Sequence, residues 1–151
     1  MEQNIHDLIE SKNWNSLTGK FVNSVETKFN NLFKSNTLTT NSGTTALEIT
    51  LRSLGIGDED EVIIPSFTFI ATAQAVMTVG ARPVICDIDL KTFNLSLDSL
   101  KKYITKKTKA VIFVHLFGNP SGIEQISEFC KENGLFLIED CAQAFGASIK
   151  N

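Results

Sequence analysis

The stretch NSGTTALEITLRSLGIGDEDEVIIPSFTFIATAQAVMTVGARPVIC, residues 41–86, decides the fold. Apolar residues in Thr44–Leu54 recur at helical spacing, Ser42 stands at the N-cap position, and Gly55 and Gly57 follow as stop signals. Glu61–Ile64 is a short apolar run ended by Pro65 and reads as a strand. Thr68–Val79 reads as a buried helix closed by Gly80, and Pro83–Cys86 as a second strand.

The alternation continues downstream. Leu97–Ile104 is expected to be a helix capped by Ser96, Ala110–Val114 a strand, Ile123–Asn133 a helix closed by Gly134, and Leu135–Ile138 a strand. Strands that alternate with helices need crossover connections. The expected architecture is therefore three-layer α/β: a mainly parallel sheet with helices on both faces. Ligands of such sheets sit beyond the carboxyl ends of the strands, which here carry Ser66, Asp87, His115 and Asp140.

Residues 1–40 read differently and form an N-terminal helical segment, with 41–151 as the α/β part. Phe21, Val22, Val25, Phe29, Leu32 and Phe33 predict an amphipathic helix over about 20–34. A shorter helix is expected around Ile5–Lys12, with Thr18-Gly19 breaking the two.

The chain of 151 residues is long enough for one cored domain, and its 42% apolar and 21% charged residues are ordinary for a globular protein. A net charge of −3 argues against a nucleic-acid partner. The basic cluster Lys101, Lys102, Lys106, Lys107 and Lys109 reads as a solvated face. The N-terminus is polar, with no secretory h-region, and no apolar run approaches a membrane span, so a cytoplasmic location is expected. Cys86, Cys130 and Cys141 have no metal-type spacing and read as buried free thiols in a reducing cytosol.

Three motifs carry candidate chemistry, each with a bland alternative. Asn41-Ser42-Gly43-Thr44-Thr45 opens a helix, where unpaired N–H groups and the dipole suit a phosphate; an ordinary capped helix is the alternative. Neither a P-loop nor the dinucleotide pattern of spaced glycines is present. Pro65-Ser66-Phe67-Thr68-Phe69 places aromatics after a strand, for a ligand or, more often, for the core. Glu139-Asp140-Cys141-Ala142-Gln143 ends a strand in two carboxylates, which suits a cationic ring nitrogen, a helix cap or a metal. His115 fits best as a hydrogen-bonded structural residue, and Gly118–Gly122 as a turn.

Taken in order, the stretches TGKFVNSVETKF, NSGTTALEITLRSLGIGDEDEVIIPSFTFIATAQAVMTVGARPVICDID, TKAVIFVHLFGNPSG and LFLIEDCAQAFGA resemble the DegT/DnrJ/EryC1/StrS family of pyridoxal-phosphate (PLP) sugar aminotransferases. The resemblance implies part of the large PLP-binding domain of the aspartate-aminotransferase type fold. It also implies a homodimer that moves an amino group from glutamate to a nucleotide-linked keto-sugar. By the same resemblance, Thr44 and Thr45 match positions that hold the cofactor phosphate and Phe69 the ring that stacks on the pyridine. Asp140 matches the partner of the ring nitrogen, and Gln143 the residue near the ring hydroxyl. Asn119-Pro120 is similar to a turn that approaches the cofactor in the wider fold class. The family's Schiff-base lysine lies some tens of residues beyond the Glu-Asp-x-x-Gln stretch, and Lys150 does not match it. No catalytic residue is therefore expected in this stretch, which alone is expected to be inactive. Two other readings stand beside this one: a PLP sugar dehydratase, which shares these motifs, and a non-catalytic binding module.

Overall fold

The computed structural model describes residues 2–12 and 19–149; Thr18 and Lys150 lie outside them. The chain divides into two compact units, Met1–Asn41 and Ser42–Asn151.

The first unit contains α1 (Glu2–Ser11) and α2 (Lys20–Phe33). The apolar stripe of α2 is present as the spacing predicts, yet none of its residues is buried. Phe29 and Phe33, one turn apart, pack with ring centroids 5.7 Å apart. The backbone that leaves α2 is tied back to it, because Thr39 donates its N–H and its hydroxyl to Glu26 Oε1 at 2.9 and 2.8 Å.

The second unit runs α3 (Gly43–Ser53), β1 (Glu61–Pro65), α4 (Ala71–Thr78), β2 (Arg82–Cys86), α5 (Leu97–Tyr103), β3 (Thr108–Val114), a 3-10 turn (Leu116–Gly118), α6 (Ile123–Glu132) and β4 (Phe136–Asp140). All strands pair in parallel, in the order β2-β1-β3-β4. The central strands β1 and β3 are almost wholly buried, whereas the outer strands expose some positions. Apolar runs on the central pair follow from burial on both faces.

Alternate residues divide the core in two. Val62, Ile64, Ala110 and Ile112 pack with Leu47 and Leu51 of α3 and Ala75 and Val76 of α4. Ile63, Val111 and Phe113 pack on the other face with Leu100 of α5 and Ile123, Ile126 and Cys130 of α6. This split follows from the strand order. The crossover from β1 moves one way along the sheet, and those into β3 and β4 move the other way. Crossovers of one hand then place their helices on opposite faces.

One element differs from the sequence reading. The helix expected from Thr68 starts at Ala71. Ser66 N–H still donates to Cys86 O at 2.8 Å, extending the sheet, and a bend follows in which Thr72 N–H donates to Phe69 O at 3.1 Å. The bend turns Phe67, Phe69 and Ile70 outward instead of burying them, so the core reading of these residues fails.

At the opposite sheet edge Glu61 is buried and accepts from Thr105 Oγ1 at 2.7 Å and Thr108 Oγ1 at 3.4 Å, and it pairs with Arg82. These bonds, from Thr105 first and then Arg82, hold its carboxyl below the usual glutamate range. A depressed folded pKa adds stability above the ordinary glutamate range and loses it as pH falls through the folded value. Glu61→Gln should therefore cost about 1–3 kcal/mol at neutral pH. It should also flatten the loss of stability below about pH 4, as urea unfolding across pH would read.

Candidate functional site

The strand order reverses between β1 and β3, so the loops that leave their carboxyl ends diverge and open a crevice there. Phe67, in the loop after β1, faces Phe117, in the loop after β3, with ring centroids 6.3 Å apart. Phe67 also meets Phe93 of the loop after β2 at 6.1 Å. Phe93 and Phe117 both have left-handed backbones, with φ of 60° and 54°. That conformation is unusual for a bulky residue and marks a place where neighbouring structure imposes the geometry.

The start of α3 lies at this same edge. Arg52, near the end of α3, donates to Thr78 O at the end of α4 at 3.1 Å, so the two helices run in the same direction. Because α4 begins directly after the carboxyl end of β1, the amino end of α3 points to that edge as well. Ser42 is the cap, as the sequence reading expects: its Oγ accepts from Thr45 N–H at 3.1 Å and lies 3.0 Å from Thr45 Oγ1. The Gly43 and Thr44 amides have no protein partner among the described residues. A Cβ built on Gly43 would meet nothing within 4 Å. This is an accessible helix start with two free donors, the physical requirement for an anion.

The loop after β1 presents Phe69 with 74% of its surface exposed. The end of β4 supplies Asp140, partly buried, whose Oδ1 accepts Ala142 N–H at 3.0 Å. Its other carboxylate oxygen has no partner among the described residues. Gln143 follows and accepts Phe117 N–H on Oε1 at 2.7 Å. The fold thus brings Thr44, Thr45, Phe69, Asp140 and Gln143 to one sheet edge from three separate elements. These groups fit a flat, phosphorylated, cationic heterocycle. The free amides suit its phosphate, the exposed ring its face, and the open carboxylate oxygen a protonated nitrogen. A cavity of about 390 Å³, lined by Asp89, Thr92, Ser96, Ser121 and Gln125 among others, contains none of the five; the open edge gathers them, not that cavity.

His115 is buried at the end of β3, 5.0 Å in centroid distance from the Phe113 ring. Its Nε2 lies 2.8 Å from Glu139 Oε2. A carboxylate can only accept, so Nε2 carries the proton. Its Nδ1 is buried with no partner among the described residues. Cys141 joins these two, with one donor atom of each residue within 4.8 Å of the others. Cysteine spacing alone does not show this cluster, because pairing of β3 with β4 creates it. The His115–Glu139 bond engages His115 Nε2 and Glu139 Oε2 and leaves His115 Nδ1 as the open donor atom of the cluster. Sequence reasoning also missed Asn94, which lies outside every motif, and gave no role to Phe117, which lies within TKAVIFVHLFGNPSG.

The sequence model of the DegT/DnrJ/EryC1/StrS aminotransferase family matches residues 1–151. The chain is 40% identical over 146 residues to a GDP-perosamine synthase of Vibrio cholerae, covering 96% of this chain and 40% of that protein. It superposes with a TM-score of 0.92 on an aminotransferase from Psychrobacter cryohalolentis, at 36% identity, covering 97% of this chain and 38% of the other. It also superposes, with a TM-score of 0.88 and 29% identity, on E. coli GDP-4-keto-6-deoxy-D-mannose-3-dehydratase with bound hydrated PLP, covering 99% and 40%. The chain thus spans about two fifths of the length of these relatives.

The three thiols should behave differently. Burial pushes Cys130 up to about 11, and burial, outweighing a hydrogen bond from Ser99, raises Cys86 as well. Cys141 is exposed, against the sequence reading, though partial burial and then the Glu139 and Asp140 charges raise it. A disulfide reagent at pH 8 should label Cys141 alone in the folded chain, more slowly than a free cysteine, and all three after denaturation. Stability held by the neutral Cys130 thiol is full at neutral pH and declines as pH rises towards 11. Rapid labelling of Cys130 without unfolding would contradict its place in the core.

Proposed function

This chain belongs to the DegT/DnrJ/EryC1/StrS aminotransferase family, and from that premise we propose that it is the N-terminal part of a PLP-dependent enzyme that moves an amino group from glutamate to a nucleotide-linked keto-sugar. The observation that carries this reading is the convergence, at one sheet edge, of a helix start with two free amides, an exposed ring and a carboxylate with one unused oxygen. In the intact protein we place it in the cytoplasm as a homodimer, serving polysaccharide biosynthesis.

PLP, when bound, supplies an electron sink for bonds at the amino-bearing carbon. The residues of this chain bind and tune it. The Gly43 and Thr44 amides and the Thr44 and Thr45 hydroxyls hold the phosphate. Phe69 covers one face of the ring and keeps water from it. Asp140 holds a proton on the ring nitrogen, and the Asp140 Oδ1 bond to Ala142 N–H fixes the carboxylate for that task. Gln143 donates to the ring oxygen. A second reading has one specific support, the match to the dehydratase that carries PLP. Both reactions use the residues named here. Formation of an amino sugar from glutamate and a keto-sugar nucleotide supports the first, and loss of a sugar hydroxyl without amination the second.

Three variants of the intact protein test the assignment. Asp140→Asn keeps the shape but not the charge, and should cut turnover by about 100-fold or more with the melting temperature unchanged. Near-normal turnover would remove Asp140 from the site. Thr44→Val removes a hydroxyl and should weaken PLP binding by about 1–3 kcal/mol in a titration. A Cβ at Gly43 would meet nothing within 4 Å, so a loss of PLP affinity in Gly43→Val with the melting temperature unchanged reports crowding of the ligand. Unchanged affinity in both would leave α3 as a capped helix only.

A further inference from the structure

Asn94 lies in the loop between β2 and α5, is 1% exposed, and belongs to none of the motifs above. Its Nδ2 donates to Asn119 O at 2.8 Å and to Ser121 O at 2.9 Å. Its Oδ1 accepts Leu116 N–H at 3.3 Å. Both amide protons point at carbonyls, which only a nitrogen can satisfy, so the orientation of the amide is set by chemistry. Asn119 reinforces the junction by donating to Thr92 O at 3.3 Å and accepting Ser121 N–H at 3.0 Å. One buried side chain therefore shapes the backbone of residues 116–121.

That backbone holds Gln143 by one hydrogen bond and approaches it at a second atom. Phe117, in its left-handed conformation, gives its N–H to Gln143 Oε1 at 2.7 Å. Gly118, at φ +79°, comes so close that a Cβ there would stand 3.1 Å from Gln143 O. With its amide oxygen held, Gln143 has only its NH2 end free among the described residues.

We propose that Asn94 is a positioning residue: by fixing the 116–121 turn it holds Gln143 with its amide NH2 as the free end, so that Gln143 acts as a dedicated donor to an anionic oxygen of the bound cofactor. The proposal rests on the cofactor reading above. An unanchored amide presents oxygen or nitrogen with similar ease, whereas an anchored one is organised in advance for an anion. The Phe117 backbone is what the anchor requires. A left-handed phenylalanine persists only where surrounding bonds over-determine it, and Asn94 supplies those bonds to its neighbours on either side.

The test uses the intact protein carrying Asn94→Asp, Gln143→Leu, or both. Asp at 94 has the shape of Asn but sets oxygen against the Asn119 and Ser121 carbonyls. Two quantities are read: hydrogen exchange at the Phe117 amide without cofactor, and, with PLP, its dissociation constant and the pH midpoint of its absorbance band. Each single variant should speed Phe117 exchange and weaken PLP about tenfold. Each should also raise the pH midpoint, because a donor to an anion favours the ionised form. In the Gln143→Leu background, Asn94→Asp should add nothing to the midpoint shift. Where Asn94→Asp fails to fold, Asn94→Ser, too short to span three backbone groups, replaces it with the same expectations. A lower melting temperature with Phe117 exchange and the midpoint unchanged would make Asn94 structural only and overturn the proposal. Equal midpoint shifts from Asn94→Asp in both backgrounds would overturn it too, since the effect would not pass through Gln143. Unchanged affinity and midpoint in Gln143→Leu would remove Gln143 from the site. Wild-type protein that develops no cofactor band would instead sink the cofactor reading, and this proposal with it.

Discussion

Parallel pairing of β1 with β3 is the constraint on which the second unit depends. Parallel strands cannot be joined by a tight turn, so each connection has to cross over, and a helix is the compact way to do it. Two central strands made of Val, Ile, Ala and Phe expose apolar side chains above and below, so helices have to cover both sides. The outward order β2-β1-β3-β4 meets that demand, with α3 and α4 on one face and α5 and α6 on the other.

The same order produces the site. Where connections diverge on either side of the β1–β3 pair, a crevice opens at the carboxyl edge, and the loops there are free to carry chemistry. They carry it with features that a folded core would reject. Phe67, Phe69 and Phe117 are exposed, two phenylalanines sit in left-handed backbone, and Asp140 keeps an unused oxygen. At the other edge Glu61, also an acid, is buried and fully engaged by Thr105, Thr108 and Arg82. The contrast between one satisfied carboxylate and one open one separates the stabilising edge of the sheet from the edge that carries the candidate site.

Buried polar side chains connect the two roles. Asn94 spends all its amide protons on the backbone of the turn after β3, and His115 turns one nitrogen to Glu139. Such bonds are costly to break in a low-dielectric interior, which makes them effective at holding loops in conformations the backbone would not choose. The strained turn at Phe117 is held in this way, and Gln143 with it.

The sequence by itself determined the element types and their alternation, because burial on both faces demands uninterrupted apolar strands and because Ser42 and Ser96 announce helix starts that both prove capped. It also determined which residues stand at the carboxyl edge, since each site residue follows a strand or opens a helix. Tertiary structure alone decided the rest. Whether Phe67 and Phe69 enter the core depends on a bend whose bonds reach from Ser66 to Cys86, a neighbouring strand, and propensity over Thr68–Val79 cannot register it. The amphipathic stripe of α2 predicts a helix but not its burial, which needs a partner surface. The links from Asn94 to the 116–121 turn and from Phe117 to Gln143 join residues more than twenty positions apart. Hydrogen bonds of that span exist only once parallel pairing has brought the strand ends together, so no local pattern in the chain encodes them.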